Sequence, residues 1–166
     1  YGYGDFRAPI ELGSPGITNG RSAGGAIAIN STGICHFQGD NGAIPYYPKI
    51  TTKPKIHYTG ASGGSIYLKC KNFSADTLSP SASLIDSSGI SGTCSDVTKR
   101  GGGGGGRVSL ISTGNNGSSD WSGELFFPSD KNSLTSFMHI VRARGGSMKS
   151  SCSGYYGGGA GTVYIE

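Results

Sequence analysis

Gly24-Gly25-Ala26-Ile27-Ala28-Ile29, Gly63-Gly64-Ser65-Ile66-Tyr67-Leu68 and Gly105-Gly106-Arg107-Val108-Ser109-Leu110 are one phrase written three times, with an echo at Gly161-Thr162-Val163-Tyr164-Ile165. In each, glycines give way to apolar residues that alternate with small or polar ones, the period of a half-buried strand and not of a helix. A phrase that returns along a chain marks one structural unit built repeatedly, and such units bury their apolar faces against each other. The repeat predicts a stack: an all-β solenoid with little or no helix.

Working outward from the phrase, each unit reads as two strands and a variable loop. The first runs from Gly24 to Ile29 and continues as Ile34-Cys35-His36-Phe37 to a turn at Gly39-Asp40-Asn41-Gly42. In the second, Ile66 to Cys70 is followed by a polar detour and then Ala82 to Ile85; in the third, Val108 to Ile111 is followed by a long excursion and then Phe137 to Val141. Insertions of unlike chemistry lie between, at 44–60, 95–101, 113–136 and 147–157, and a solenoid tolerates them because a loop that leaves the coil need not disturb the strands above and below. The glycines before each strand are expected to supply positive φ and close backbone approach. Six in a row, Gly101 to Gly106, exceed what one turn needs, and their alternative is polyproline-II-like packing.

Composition agrees with one glycine-rich domain over residues 1–166. The 31 glycines lack the every-third-residue period of collagen. A net charge of +4 with 14% charged residues is mild, and the pairs Lys99-Arg100 and Arg142/Arg144 read as solvated surface, so neither nucleic acid nor membrane insertion is expected. No apolar stretch approaches the roughly 20 residues that cross a bilayer. The opening at Tyr1 and the absence of a leader predict a processed product or a segment of something longer.

The four cysteines lack zinc-ligand or redox spacing and predict two disulfides in an oxidising, extracellular setting. Cys94 and Cys152 occupy matching places after Ile85 and Val141 and are paired on that ground, which leaves Cys35 with Cys70. Sequons at Asn30, Asn72 and Asn116 point to glycosylation and to the same compartment.

Tyr3-Gly4-Asp5-Phe6-Arg7-Ala8-Pro9, Glu11-Leu12-Gly13-Ser14 and the glycine phrases through Gly157 to Glu166 together resemble a glycine-rich repeat module of large extracellular and cell-surface proteins of bacteria and some eukaryotes. The similarity runs from Tyr3 to Ile165. It implies a right-handed parallel β-helix with structural or adhesive duty. The four cysteines and the long insertions depart from that pattern.

Function is weighed against three classes. For an enzyme, some parallel β-helices cleave polysaccharides with clustered carboxylates. Here Asp40 and Asp86 each end a second strand, but Arg142 or Arg144 takes the corresponding place in the third unit and breaks the ladder. His36, His57 and His139 show no metal-ligand spacing, and no nucleophile elbow, phosphate loop or dinucleotide motif frames the glycines, so neither catalytic residues, metal nor cofactor are expected. For a binding module, Tyr46, Tyr47, Tyr58, Trp121, Tyr155 and Tyr156 lie in or beside insertions, where their rings suit glycan or partner contact. For a structural protein, Tyr164-Ile165-Glu166 ends in mid-strand and neither end shows a capping helix. The expectation is an extracellular structural protein whose partners are identical subunits or neighbouring domains of the same polypeptide, with glycan binding the alternative and a polysaccharide-cleaving enzyme more distant.

Overall fold

The computed structural model describes residues 5–15, 23–37, 49–55, 60–75, 85–92, 94–95, 98–99, 101–114, 121–122, 141–147 and 157–166. Among them there is no helix, and three sheets are built entirely from parallel strands. The first sheet has β1 (Ala26–Asn30), β4 (Ser65–Cys70), β9 (Arg107–Ser112) and β12 (Thr162–Ile165), in the order β1-β4-β9-β12. The second orders β2 (Ile34–Phe37), β5 (Asn72–Ala75) and β10 (Trp121–Ser122) as β2-β5-β10, and the third orders β3 (Ile50–Thr51), β6 (Ile85–Asp86) and β11 (Val141–Arg142) as β3-β6-β11. The chain thus visits the first, second and third sheets in turn, three times, before returning to the first at β12. A separate antiparallel pair, β7 (Cys94–Ser95) with β8 (Thr98–Lys99), lies between β6 and the third visit to the first sheet at β9.

Each unit therefore has three strands and not two. The missing strand in the second unit is β5, which lies inside the stretch read as a polar detour: only Phe73 is apolar and bulky there, and one inward side chain suffices for so short a strand. The register of the first sheet is that of the glycine phrases, with Ile27, Ile66, Val108 and Val163 in one column and Ile29, Leu68, Leu110 and Ile165 in the next.

Two kinds of packing hold this arrangement. Ile66, Leu68 and Cys70 of β4, Val108 and Leu110 of β9, Phe37 and Phe73 of the second sheet and Ile85 and Val141 of the third form one buried cluster, against which Cys35 and Ile50 pack. Side chains from all three sheets meet there, as alternation along each strand requires.

The second kind is made mostly by backbone groups. Gly103 N–H donates to the Ile90 carbonyl at 3.0 Å and, three residues on, Gly106 N–H donates to the Ser87 carbonyl at 2.7 Å. Gly158 and Gly161 repeat the step, donating to Gly146 and Ala143 at 2.9 and 2.7 Å. Bonds that recur every third residue fit a chain with three residues per turn and no internal bonds of its own, the polyproline-II geometry. Segment 101–106 also accepts from Gly63 and Gly146 and donates to Gly159. It thereby binds four neighbouring segments where a β-strand has two.

Of the two reasons expected for the glycines, close backbone approach is seen among the described residues and positive φ is not. None of the glycines from Gly102 to Gly106, nor Gly24, Gly63 or Gly64, has φ in the left-handed region. What they supply is proximity: a Cβ on Gly64 would come closer than 3.0 Å to the Gly25 carbonyl, and one on Gly106 closer than 3.0 Å to that of Gly64.

Candidate functional site

Residues 5–15 run across the outer face of the first sheet, touching its strands in reverse order. The Phe6 ring meets Tyr164 of β12 edge-on with centroids 5.2 Å apart, and the Arg7 guanidinium lies 5.8 Å and 6.0 Å from the two ring centroids. Ser109 Oγ of β9 donates to the Arg7 carbonyl and Ser65 Oγ of β4 to the Glu11 carbonyl, each at 2.6 Å. Gly13 N–H then reaches the Gly24 carbonyl at 2.8 Å, just before β1. Ser65 and Ser109 are buried although they point away from the core, and this strap is the cause.

Beneath the strap lies a groove of about 460 Å³, walled by Phe6 and residues 11–14 on one side and by the approaches to β4, β9 and β12 on the other. Its charged feature is one ion pair, Arg107 Nη1 to Glu11 Oε2 at 3.0 Å, both side chains half-buried. The Glu166 carboxylate accepts from the Tyr164 hydroxyl at 2.5 Å and thereby raises the phenol above its ordinary value, with Arg7 working against it. The strap was not foreseen; the signal for it is the pair of serines, the small residues that let a crossing backbone sit close.

On the third sheet, Asp86 lies in register with Thr51 and Arg142. Arg142 does take the corresponding place, so no carboxylate ladder crosses this sheet. The neighbour of Asp86 in the first unit is Thr51 and not Asp40, because Asp86 belongs to a third strand; Asp40 itself lies outside the described residues. Asp86 accepts from Ser88 N–H at 3.0 Å and pairs with Lys49 at 3.5 Å. No group of three or more metal-ligating side chains occurs among the described residues.

Cys35 and Cys70 are joined, with Cα atoms 5.9 Å apart, which ties the first unit to the second. Cys94 belongs to the β7–β8 hairpin, opposite Lys99, and Cys152 lies outside the described residues. Asn30 closes β1 and is exposed, whereas Asn72 opens β5 half-buried, its amide oxygen enclosed without a hydrogen-bond partner. Asn116, Tyr46, Tyr47, Tyr58, Tyr155 and Tyr156 lie outside the described residues, and Trp121 is placed by its backbone, in register with Phe73.

Among the described residues, apolar side chains are exposed on the strap, at Phe6, Ile10 and Leu12, and at the two edges of the first sheet. Ile66, Leu68, Val108 and Leu110 are at most 1% exposed, but the members of the same columns on the edge strands, Ile29, Val163 and Ile165, are 41%, 40% and 43% exposed. Ile34, on the edge strand β2 of the second sheet, is 62% exposed. No family model, no curated protein and no solved structure matches the chain.

Proposed function

We propose that this chain is a segment of an extracellular structural protein, a right-handed parallel β-helix with loop insertions, whose rungs continue into rungs supplied by identical copies or by neighbouring domains of the same polypeptide. The observation that carries this reading is the pair of apolar columns, buried through β4 and β9 and exposed on β1 and β12. A column of that kind finds its missing burial in another rung. The cyclic visiting of three parallel sheets supports the helix, and its right hand follows from the general rule for parallel crossovers. The Cys35–Cys70 disulfide supports an oxidising compartment. Immunogold labelling of intact source cells, with fractionation under non-reducing conditions, tests the reading. The protein is expected in extracellular or surface-attached material of high molecular mass; recovery as a reduced, monodisperse intracellular protein would overturn it.

A further inference from the structure

Resting on the structural reading above, we propose that the outward edge of β12 is docked by β1 of a second copy, parallel and in the register Val163 to Ile27 and Ile165 to Ile29. Three independent observations converge on that register.

The first is backbone parity. In a parallel ladder a strand bonds each neighbour through alternate residues. β1 meets β4 through odd-numbered residues, with Ser65 N–H donating to the Gly25 carbonyl at 3.0 Å and Ser31 N–H to that of Lys69 at 2.8 Å. Its even-numbered Ala26, Ala28 and Asn30 direct their groups to the open edge. β12 does the reverse: Thr162 and Glu166 N–H bond to the Gly106 and Leu110 carbonyls, each at 3.0 Å, so Val163 and Ile165 face outward. Val163 can then bond to Ala26 and Ala28 of the next copy, and Ile165 to Ala28 and Asn30. A register shifted by one residue would set bonded groups against bonded groups.

Side chains give the second. The same register places Val163 under Ile27 and Ile165 under Ile29, extending both apolar columns across the junction with residues that are partly exposed on each side.

The third is Gly25. Gly25, Gly64, Gly106 and Gly161 are equivalent, each just before its strand. The last three are glycine for a visible reason, since a Cβ on each would come closer than 3.0 Å to the carbonyl oxygen of the one before it, on Gly25, Gly64 and Gly106 in turn. A Cβ on Gly25 meets nothing within 4 Å, and its φ is not left-handed. Nothing among the described residues asks for glycine there. A preceding rung does: in the proposed register Gly161 of the neighbouring copy brings its carbonyl to that open space.

The test uses the oxidised 166-residue chain. Sedimentation velocity over a concentration series and electron microscopy should show linear polymers. Gly25→Ala should keep the circular dichroism and melting curve of the parent while raising the concentration needed for assembly by about tenfold or more. Mixing Ile27→Cys with Val163→Cys should give a crosslinked heterodimer, intermolecular because β4 and β9 separate the two edges of one chain, and Ile27→Cys with Tyr164→Cys should not, because Tyr164 lies on the opposite face of β12, against Phe6. Polymers that form equally well with Gly25→Ala, or that crosslink equally in the shifted pair, overturn the register while leaving the structural reading in place. A parent chain that stays monomeric at its solubility limit overturns docking by a second copy; immunogold detection in surface material would then assign the next rung to another domain.

Discussion

The side-chain core and the glycine array are held by opposite means, and they fail in opposite ways. Around Ile66, Leu68, Phe73 and Leu110, burial is gained by filling the space between three sheets with apolar atoms. Between 60–64, 87–92, 101–106, 143–147 and 157–161, contact is gained chiefly at glycines, which have no atoms beyond the backbone, so that carbonyls and N–H groups of several segments bond across distances a side chain would fill. A core of the first kind is damaged by deletion. One of the second kind is damaged by addition.

Phe73→Ala tests the first half. The ring is fully buried in the middle strand of the second sheet, and its removal should cost about 4 kcal/mol of stability, read as a lower urea midpoint at unchanged m-value. Gly106→Ala tests the second. Its added methyl would be closer than 3.0 Å to the Gly64 carbonyl and to Ser87 Oγ, and a cost of about 3 kcal/mol is expected from an apolar addition that propensity alone would favour. If the methyl were accommodated without loss, the claim that proximity selects these glycines would fail.

How much of this was legible follows the same division. The strands of the first sheet could be read because Ile66 and Leu68 of β4 and Val108 and Leu110 of β9 are spaced two apart, and their register because the glycine phrase fixes where each begins. β5 escaped because one buried phenylalanine among Asn72, Ser74 and Ala75 leaves no periodic signal. β3 and β10 have two residues each, too few for a period of two to show, whereas β6 and β11 fall at the ends of the strands read at 82–85 and 137–141. The glycine array was reached only as an alternative, since a six-glycine run has no side-chain pattern and its partners, from Gly63 to Thr162, are scattered along the chain. The groove stayed hidden because Phe6, Glu11, Arg107 and Tyr164 are joined by the path of the strap and by no local motif.

Asp86 and Ser87 mark the seam between the two regions. Asp86 ends β6, while Ser87 Oγ donates to the Gly64 carbonyl at 2.6 Å and receives Thr52 Oγ1 at 3.1 Å. Burial acts to raise the Asp86 carboxyl, but the Ser88 donors and the Lys49 and Lys53 ammonium groups outweigh it and hold it below its ordinary value of 3.8. A depressed carboxyl stabilises the fold above 3.8, and that contribution is lost as pH falls through the folded value. Asp86→Asn should therefore flatten the acid limb of the urea midpoint against pH below 3.8, a smaller effect than either substitution above. An unchanged acid limb would show that the seam is not held by this charge.

The smallest effect is the sharpest, because it divides two adjacent residues. Gly158 and Gly159 share a segment, and neither has a left-handed φ. A Cβ on Gly158 would come closer than 3.0 Å to the backbone of Gly103 and Gly104, whereas one on Gly159 meets nothing within 4 Å. If proximity alone selects glycine in the array, the two must respond with opposite signs. Gly159→Ala should leave the melting curve unchanged or raise stability by about 0.5 kcal/mol, because alanine restricts the unfolded chain and strains nothing in the folded one. Gly158→Ala should destabilise as Gly106→Ala does. Equal losses at both positions would mean that the array depends on backbone freedom after all, and the distinction between its packing and that of the side-chain core would have to be drawn elsewhere.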